Sequence, residues 1–410
     1  MTLTEYKKEI TEIFRKNTRR GFADWRQCGN LCRDLTRFLE KSAVELTGSG
    51  RYKDLFDVTL RAYVKWSGTD KDDSNGETHD FYATEDGIWD RLYGKEPPEL
   101  DHASMFGGFM RIMDGSLVDY MEDHLLDYVT DRFVEPELLE RKLAWLEAKI
   151  GAILEKEKEK GKDLFWSDVP LYRNRVIRVY ADQKRPIEEI REYAKDLNDR
   201  SSREILGGIE LEYGNLDEAL AIYRKLAAKE AKMVWGRHPY NVKLKELYKE
   251  HGLREEYEAQ LERLLRLDTG DPGLLEEYRS TVPPEDWEAV RDRLFDSFPA
   301  DDERVLQWYE SEGCYDRLMD GVEACGYALL KHYAKLLEGR YPSRCLSILV
   351  DTACEDMASA NTRAGYQHVA RVLRWMRKFP GGKEEAARLA GEFRAAYPRR
   401  PAMIEELEGF

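Results

Sequence analysis

The segment from Arg203 to Glu230, REILGGIELEYGNLDEALAIYRKLAAKE, has the pattern of two short amphipathic helices joined by a tight turn. Apolar residues keep a helical spacing on both sides of Gly214-Asn215, two residue types that tolerate the positive φ of a tight turn. Asp217 is predicted to cap the second helix. Because such a hairpin buries one face, it needs neighbours stacked against it. The segment therefore predicts a helical solenoid, and it predicts no particular chemistry.

The same layout recurs in looser form around the predicted turns at Gly252 and Gly313, and strand-like alternation of useful length is not found. Asp24 is predicted to cap a long helix, and Gly107-Gly108 to mark a bend. The predicted fold class is all-α. We expect an N-terminal helical domain over residues 1–160 and an α-solenoid of degenerate helical hairpins over residues 161–410.

The composition fits a folded, helix-rich chain, since 42% of the 410 residues are hydrophobic and 35% are charged. Apolar runs are all shorter than the roughly 20 residues of a transmembrane helix. The N-terminus, MTLTEYKKEITEIF, lacks the apolar centre of a signal peptide. A cytoplasmic location is the expectation that follows.

The formal charge of −15 is unevenly distributed along the chain. Residues 67–140 contain 5 Lys/Arg and 20 Asp/Glu, whereas residues 363–401 contain 10 basic and 3 acidic residues. We therefore expect an acidic N-terminal domain and a basic C-terminal end. An acidic total disfavours a general nucleic-acid coat, although a local basic surface could still bind a phosphate backbone.

The candidate interaction surface is the basic C-terminal end together with one aromatic residue. Arg371, Arg374 and Lys378 follow an i, i+3, i+7 spacing that places them on one side of a helix. The other members are Arg377, Arg399, Arg400 and Trp308; because Trp308 is next to Tyr309, one of those two should face outward. Such a surface could dock an acidic protein or a phosphate backbone. The favoured interpretation is a solvent-exposed helical face whose positive charge balances the acidic half of the molecule.

Two features raise the question of a metal ion. Cys28 and Cys32 lie four residues apart on a helical stripe, where a buried apolar face is favoured over a metal pair. The loop Asp70–Glu77 is rich in carboxylates, but as a calcium loop it has Asn75 where glycine is required and Phe81 where glutamate is required. A solvated turn is favoured, and a weak cation site in this loop stays open.

Recognised catalytic patterns are not found. The seven histidines form no metal-binding pair, and neither a nucleophile elbow nor a phosphate-binding loop is present. No catalytic residue, cofactor or metal ligand is therefore predicted, and the chain is expected not to be an enzyme. Four tryptophans, Trp25, Trp66, Trp89 and Trp145, are predicted to belong to the core.

Two resemblances bear on the fold. Leu206, Gly207, Ala219 and Tyr223 match positions of the tetratricopeptide repeat, although Glu210, Leu226 and Ala231 depart from it. Most of the chain resembles the all-helical region that follows the zinc finger in prokaryotic SWIM zinc-finger proteins. That likeness is carried by YKKEITEIFRK at Tyr6, FADWRQCGNL at Phe22, DDSNGE at Asp72, PPEDWEAVRDRL at Pro283, YQHVARVLRWMRKFPGG at Tyr366 and YPRRPAMIEEL at Tyr397.

The cysteine pattern of the SWIM finger is missing, since no two cysteines are two residues apart. The chain is also expected to start at the helical part. Zinc, and any nucleic-acid role tied to the finger, therefore cannot be carried over, and the resemblance implies an α-solenoid of unassigned chemistry used for contacts. The leading hypothesis is a non-catalytic protein–protein interaction scaffold, with nucleic-acid binding through the basic C-terminal helices as the alternative. An enzyme with an unrecognised site is a further alternative, and the oligomeric state is left open.

Overall fold

A computed structural model describes residues 1–94, 100–114, 117–160, 167–230, 238–299 and 301–410. In these ranges the chain is helical apart from turns and one pair of two-residue strands, which confirms the predicted all-α fold class. None of the described helices has both the length and the apolar composition needed to cross a bilayer. The residues form two compact units, Met1–Ile222 and Tyr223–Phe410.

In the described residues of the first unit there are ten helices, the start of an eleventh, and the two short strands. They are α1 (Leu3–Asn17), β1 (Phe22–Ala23), α2 (Trp25–Gly48), α3 (Tyr52–Ser67), β2 (Asp70–Lys71), α4 (Glu77–Tyr93), α5 (His102–Met113), α6 (Asp119–Arg132), α7 (Pro136–Lys160), α8 (Val169–Asp182), α9 (Ile187–Ala194), α10 (Arg200–Glu212) and α11 (Leu216–Glu230). The strands pair in parallel, with Phe22 opposite Asp70 and Ala23 opposite Lys71.

The main core of the first unit is aromatic. Trp66 stacks on Phe81 with ring centroids 4.8 Å apart, and Trp89 meets Phe109 edge-on at 4.9 Å. The same core extends to α8 through side chains such as Val176. The domain boundary at residue 160 stays a prediction, because the adjoining residues 161–166 lie outside the described ranges.

The start of α2 confirms one prediction and corrects another. Asp24 Oδ1 accepts hydrogen bonds from the amides of Arg26 (3.0 Å) and Gln27 (2.9 Å), so Asp24 is the predicted cap. Trp25, predicted to be core, is 50% exposed and lies against the Arg26 guanidinium. As the first residue of the helix it precedes the turns of α2 that pack on α3 and α4.

Gly107 and Gly108 do not form the predicted bend, because both lie inside α5. A Cβ on Gly108 would lie 2.5 Å from Phe56 Cε1 and 3.1 Å from Leu60 Cδ1, both on α3. A Cβ on Gly107 would have Arg141 Nη2 at 3.8 Å as its nearest neighbour. Gly108 therefore allows α5 to pack closely against α3, whereas Gly107 has no such role.

This difference yields a matched pair of substitutions. We expect Gly108→Ala to lower the free energy of unfolding by about 1–3 kcal/mol, because the added methyl overlaps Phe56. We expect Gly107→Ala to raise it by about 0.5–1 kcal/mol, because alanine is the better helix former. Urea unfolding of both variants measures the two effects; equal changes would contradict the close packing at Gly108.

The second unit contains the rest of α11 and a further run of helices. They are α12 (Pro239–Glu250), α13 (Arg254–Leu267), α14 (Pro272–Arg279), α15 (Trp287–Phe295), α16 (Leu306–Ser311), α17 (Tyr315–Cys325), α18 (Tyr327–Leu337), α19 (Pro342–Ser359), α20 (Arg363–Met376), α21 (Gly382–Ala396) and α22 (Pro401–Glu406). Most of them pack on helices close by in the chain, as α12 does on α13 and α19 on α20. Such near-neighbour packing is characteristic of a solenoid.

The three predicted hairpin turns share one backbone structure. Gly214, Gly252 and Gly313 have φ values of 78°, 68° and 69°. The residue after each glycine donates its amide to the carbonyl five positions back: Asn215 to Glu210 (2.8 Å), Leu253 to Tyr248 (2.9 Å) and Cys314 to Tyr309 (2.8 Å). This is the Schellman arrangement, which requires a left-handed residue and so favours glycine. The predicted repetition of the turn is thus confirmed. The prediction that Asp217 caps the second helix is wrong, because α11 begins at Leu216 and Asp217 lies in its first turn.

Glu210, a departure from the tetratricopeptide pattern, is 2% exposed and has its own partners. Both of its carboxylate oxygens accept hydrogen bonds from Arg191 on α9, at 2.7 and 2.8 Å. Asn215 in the turn donates a third, at 2.9 Å. The buried carboxylate thus joins α9, α10 and the turn after α10.

Candidate interaction surface

Helix α20 carries most of the predicted basic surface. Thr362 caps its first turn by accepting a hydrogen bond from the amide of Gly365. The apolar residues of α20 are fully buried, as predicted: Val369, Val372, Leu373 and Met376. Burial of this stripe orients the opposite side of the helix outward.

Four cations of the predicted surface form what we call the basic face: Arg371, Arg374, Arg377 and Lys378. All four are exposed, and none forms an ion pair with a residue in the described ranges. Arg377 caps the C-terminus of α20, where a positive charge interacts favourably with the helix dipole. The guanidinium carbons of Arg374 and Arg377 lie about 6 Å from the Phe410 ring, at 6.0 and 5.9 Å.

Arg399 and Arg400 do not join the basic face. Arg400 is half-buried, and its Nη1 donates to the carbonyl of Ala360 (2.9 Å), which follows α19 and precedes α20. The basic face lies at the other end of α20, whose 14 residues span about 21 Å. Arg400 therefore donates a hydrogen bond to the carbonyl that ends α19. Arg399 is exposed, and as the neighbour of Arg400 in the chain it lies apart from the basic face.

The C-terminal segment supplies acidic partners at the first turns of α20. Arg363 forms ion pairs with Glu405 (2.7 Å) and Glu406 (2.9 Å), and Gln367 also donates to Glu406. The hydrogen bond from Arg363 holds the pKa of Glu406 below its usual value. The chain's own carboxylates thus neutralise one end of α20, whereas the basic face keeps its net positive charge.

Trp308 was predicted to be a candidate hot spot, and this prediction is wrong. Its side chain is fully buried, its Nε1 donates to the carbonyl of Asp271 (3.0 Å), and its ring packs edge-on against Phe298. Tyr309 is also buried, against Phe295. A short helix that packs on neighbours at both sides, as α16 does on α14 and α17, buries two faces, so neither residue faces outward.

An open groove of about 600 Å³ lies in the second unit and was not predicted from the sequence. Six of the residues along it are Arg254, Glu258, Glu262, Tyr278, Pro283 and Arg293. Two ion pairs line it, Arg254 with Glu258 at 2.8 Å and Arg293 with Glu262 at 3.7 Å, and Glu255 and Asp286 add two acidic groups. The groove is therefore a polar concave surface on which acidic residues outnumber basic ones.

A half-buried chain of polar side chains in the first unit was also not predicted from the sequence. His124 lies between the Tyr63 hydroxyl (3.0 Å from Nδ1) and the Asp86 carboxylate (3.2 Å from Nε2), and Tyr82 stacks on its ring. Tyr63 also donates to the carbonyl of Met121 at 2.7 Å, and burial raises the pKa of its hydroxyl. These contacts tie α3, α4 and α6 together; no local signal could have found them, because the partners are far apart in sequence.

Comparison with known proteins adds little to this description. No family model and no curated protein matches the sequence. A solved structure of Naa15/Naa10 bound to HypK-THB is similar at a TM-score of 0.29 and 13% identity, covering 99% of this chain and 65% of that chain. The APC/C hetero-tetramer Cut9-Hcn1 is similar at a TM-score of 0.25 and 13% identity, covering 93% of this chain and 72% of that chain. This chain thus spans less than two thirds of the first of these, and likeness at such TM-scores assigns no function.

Proposed function

We propose that this chain is a non-catalytic scaffold that binds a partner protein, and that the basic face is the main contact. The observation that carries the proposal is the presence of four exposed cations on one helix end without ion-pair partners among the described residues. An acidic patch on a partner would supply the missing counter-charges. Charge complementarity of this kind mainly fixes orientation and the rate of association.

The surrounding architecture supports the proposal. The apolar stripe of α20 is buried against neighbouring helices, so the basic face is held on a fixed element. The groove in the same unit adds a polar concave surface that suits a polar peptide segment. A surface with both features can recognise a partner by charge and by shape.

Nucleic acid is the second candidate, favoured by the same four cations. A phosphate backbone would also supply the counter-charges, and binding would then weaken steeply with salt as counterions are released. We further propose a cytoplasmic location and kinship with the helical region of SWIM zinc-finger proteins, both on the sequence alone. The non-catalytic role likewise rests on the lack of a recognised motif.

The proposal is tested by reversing the charge of the basic face. We expect the triple change Arg371→Glu, Arg374→Glu and Arg377→Glu to weaken binding of a stoichiometric partner about 10- to 100-fold, at roughly 0.5–1 kcal/mol for each residue. The tagged variant and wild type are purified from the native host, with and without nuclease, and the affinity of the recovered partner is then measured.

A control variant has the same net charge change elsewhere: Lys8→Glu, Arg19→Glu and Lys53→Glu, all exposed residues of the first unit. This control should bind as the wild type does. Equal weakening by both variants would contradict a specific basic face. A partner that disappears on nuclease treatment, with affinity falling steeply in salt, would favour nucleic acid over protein.

A further inference from the structure

Three side chains that can ligate metals come together where α2 and α4 begin. The Cys28 thiol and one carboxylate oxygen each from Asp73 and Glu77 all lie within 4.8 Å of one another. Cys28 is fully buried, Glu77 is 7% exposed and Asp73 is half-buried. The loop whose cation binding the sequence left open thus meets one of the two cysteines considered as metal ligands.

Backbone hydrogen bonds hold the loop in this place. Pairing of β1 with β2 brings residues 70 and 71 beside the start of α2, and the amide of Asp72 donates to the carbonyl of Ala23 (2.8 Å). Asp73 accepts a hydrogen bond from the amide of Thr78 at 2.9 Å, which fixes its carboxylate at the N-terminus of α4. The acidic side chains are therefore positioned by local structure on both sides.

Glu77 is the observation that points to a ligand. Its Oε1 accepts a hydrogen bond from Asn75 (3.1 Å), but its Oε2 is buried and has no hydrogen-bond partner in the described residues. A buried carboxylate oxygen without a partner is costly, and a bound cation relieves that cost. Gly29 makes room for this carboxylate, since a Cβ there would lie 3.3 Å from Glu77 Oε1.

Lys71, on β2 just before this loop, does not supply the missing charge. Lys71 directs its Nζ to the carbonyls of Trp66 (2.9 Å) and Thr69 (3.1 Å) and to the Tyr120 hydroxyl (3.3 Å). It forms no ion pair with Asp73 or Glu77. The two carboxylates therefore have no ion-pair partner among the described residues.

We propose that Cys28, Asp73 and Glu77 bind one divalent transition-metal ion, for which Zn²⁺ is the best match. Zn²⁺ accepts thiolate and carboxylate ligands in tetrahedral geometry, with ligand atoms roughly 3.6 Å apart for bonds of about 2.0–2.3 Å. The three ligand atoms lie within 4.8 Å of one another, so a small inward shift brings them to this tetrahedral spacing. Ca²⁺ and Mg²⁺ fit less well, because they prefer oxygen ligands throughout.

When the metal ion binds, the Cys28 thiol loses one proton. As the bond between Cys28 Sγ and the ion forms, the thiol proton is released to solvent, and a water fills the fourth position from the half-exposed Asp73 side. Cys32, one helical turn away, is not a member of the group; its Sγ donates to the carbonyl of Glu77 at 3.3 Å. Cys32 therefore supports the loop through the backbone and leaves the Glu77 carboxylate to the ion.

The test is a titration of the full chain with Co²⁺, whose thiolate complexes absorb by ligand-to-metal charge transfer. We expect saturation at one ion per chain, with the charge-transfer band present in the wild type and absent in Cys28→Ser. Glu77→Gln, which keeps the size of the side chain, should weaken binding at least about 10- to 100-fold. Cys345→Ser, a change at a buried cysteine of the second unit, should titrate as the wild type does.

Zn²⁺ provides a second measurement that does not depend on colour. It should raise the Tm of the wild type and of Cys345→Ser, and raise that of Glu77→Gln clearly less at the same Zn²⁺ concentration. The proposal is overturned if the wild type shows no saturable Co²⁺ binding, or if the band persists in Cys28→Ser. If Cys28→Ser does not fold, Glu77→Gln and Asp73→Asn decide: unchanged Co²⁺ affinity in both would also overturn it.

Discussion

Replacing Trp308 with alanine is expected to lower the free energy of unfolding by about 3–5 kcal/mol. The indole is fully buried between α14 and α17, and its Nε1 donates to the carbonyl of Asp271. Removing it leaves a large cavity and takes away the hydrogen bond. Chemical denaturation of the full chain, followed by circular dichroism at 222 nm as is usual for helices, measures the loss.

Two further tryptophan variants separate burial from residue type. Trp308→Phe keeps most of the ring volume, so it should lose much less stability, with about 1 kcal/mol from the hydrogen bond. Trp25→Ala removes a side chain that is 50% exposed and should change stability by no more than about 0.5 kcal/mol. If the alanine variants at 308 and 25 lost equal stability, Trp308 would not be the core residue described above.

Glu85 should make the stability of the protein depend on pH. This side chain is fully buried on α4, neither carboxylate oxygen has a hydrogen-bond partner in the described residues, and burial raises its pKa well above 4.5, with the nearby Asp86 adding to the shift. Above pH 4.5 the unfolded chain releases this proton while the folded chain retains it. Stability therefore falls as pH rises, by about 1.4 kcal/mol for each pH unit, until the folded pKa is reached.

Replacing Glu85 with glutamine removes the ionisation and keeps the shape. We expect Glu85→Gln to match the wild type near pH 4 and to be more stable at pH 8, with the difference growing between these values. Glu137→Gln, a change at an exposed position of α7, should retain the wild-type pH profile. Parallel profiles for wild type and Glu85→Gln would show that Glu85 is not a neutral buried acid.

Much of the local structure could be predicted from the sequence, because it depends on residues close together in the chain. The caps and turns illustrate this: Asp24 caps the helix that follows it, and Gly214, Gly252 and Gly313 form the turns expected of them. The apolar stripe of α20 is buried as its spacing predicts. In each case, the hydrogen bonds or contacts follow from spacing along one helix or turn.

The candidate sites could be predicted in part. Arg371 and Arg374 lie on α20 and are exposed, as their spacing predicts, since helical periodicity relates residues one turn apart. Lys378 is exposed too, but it follows the end of α20 at Met376 and does not lie on the helix. Arg400 could not be separated from them by sequence, because its inward turn depends on the carbonyl of Ala360, 40 residues earlier. Cys28 and Glu77 are still further apart, and strand pairing between β1 and β2 brings their segments together.

The sequence by itself determined the all-α class, the helical hairpins and their turns, since spacing, capping residues and left-handed glycines act over a few residues. The tertiary structure alone decided which tryptophan is buried, which arginine turns inward and which carboxylates meet a thiol. Trp25 and Trp308 both occupy helices with an apolar stripe, yet one is half exposed and the other fully buried. The difference arises because burial depends on how many neighbouring helices pack around a residue, and that number is set by contacts distant in the chain.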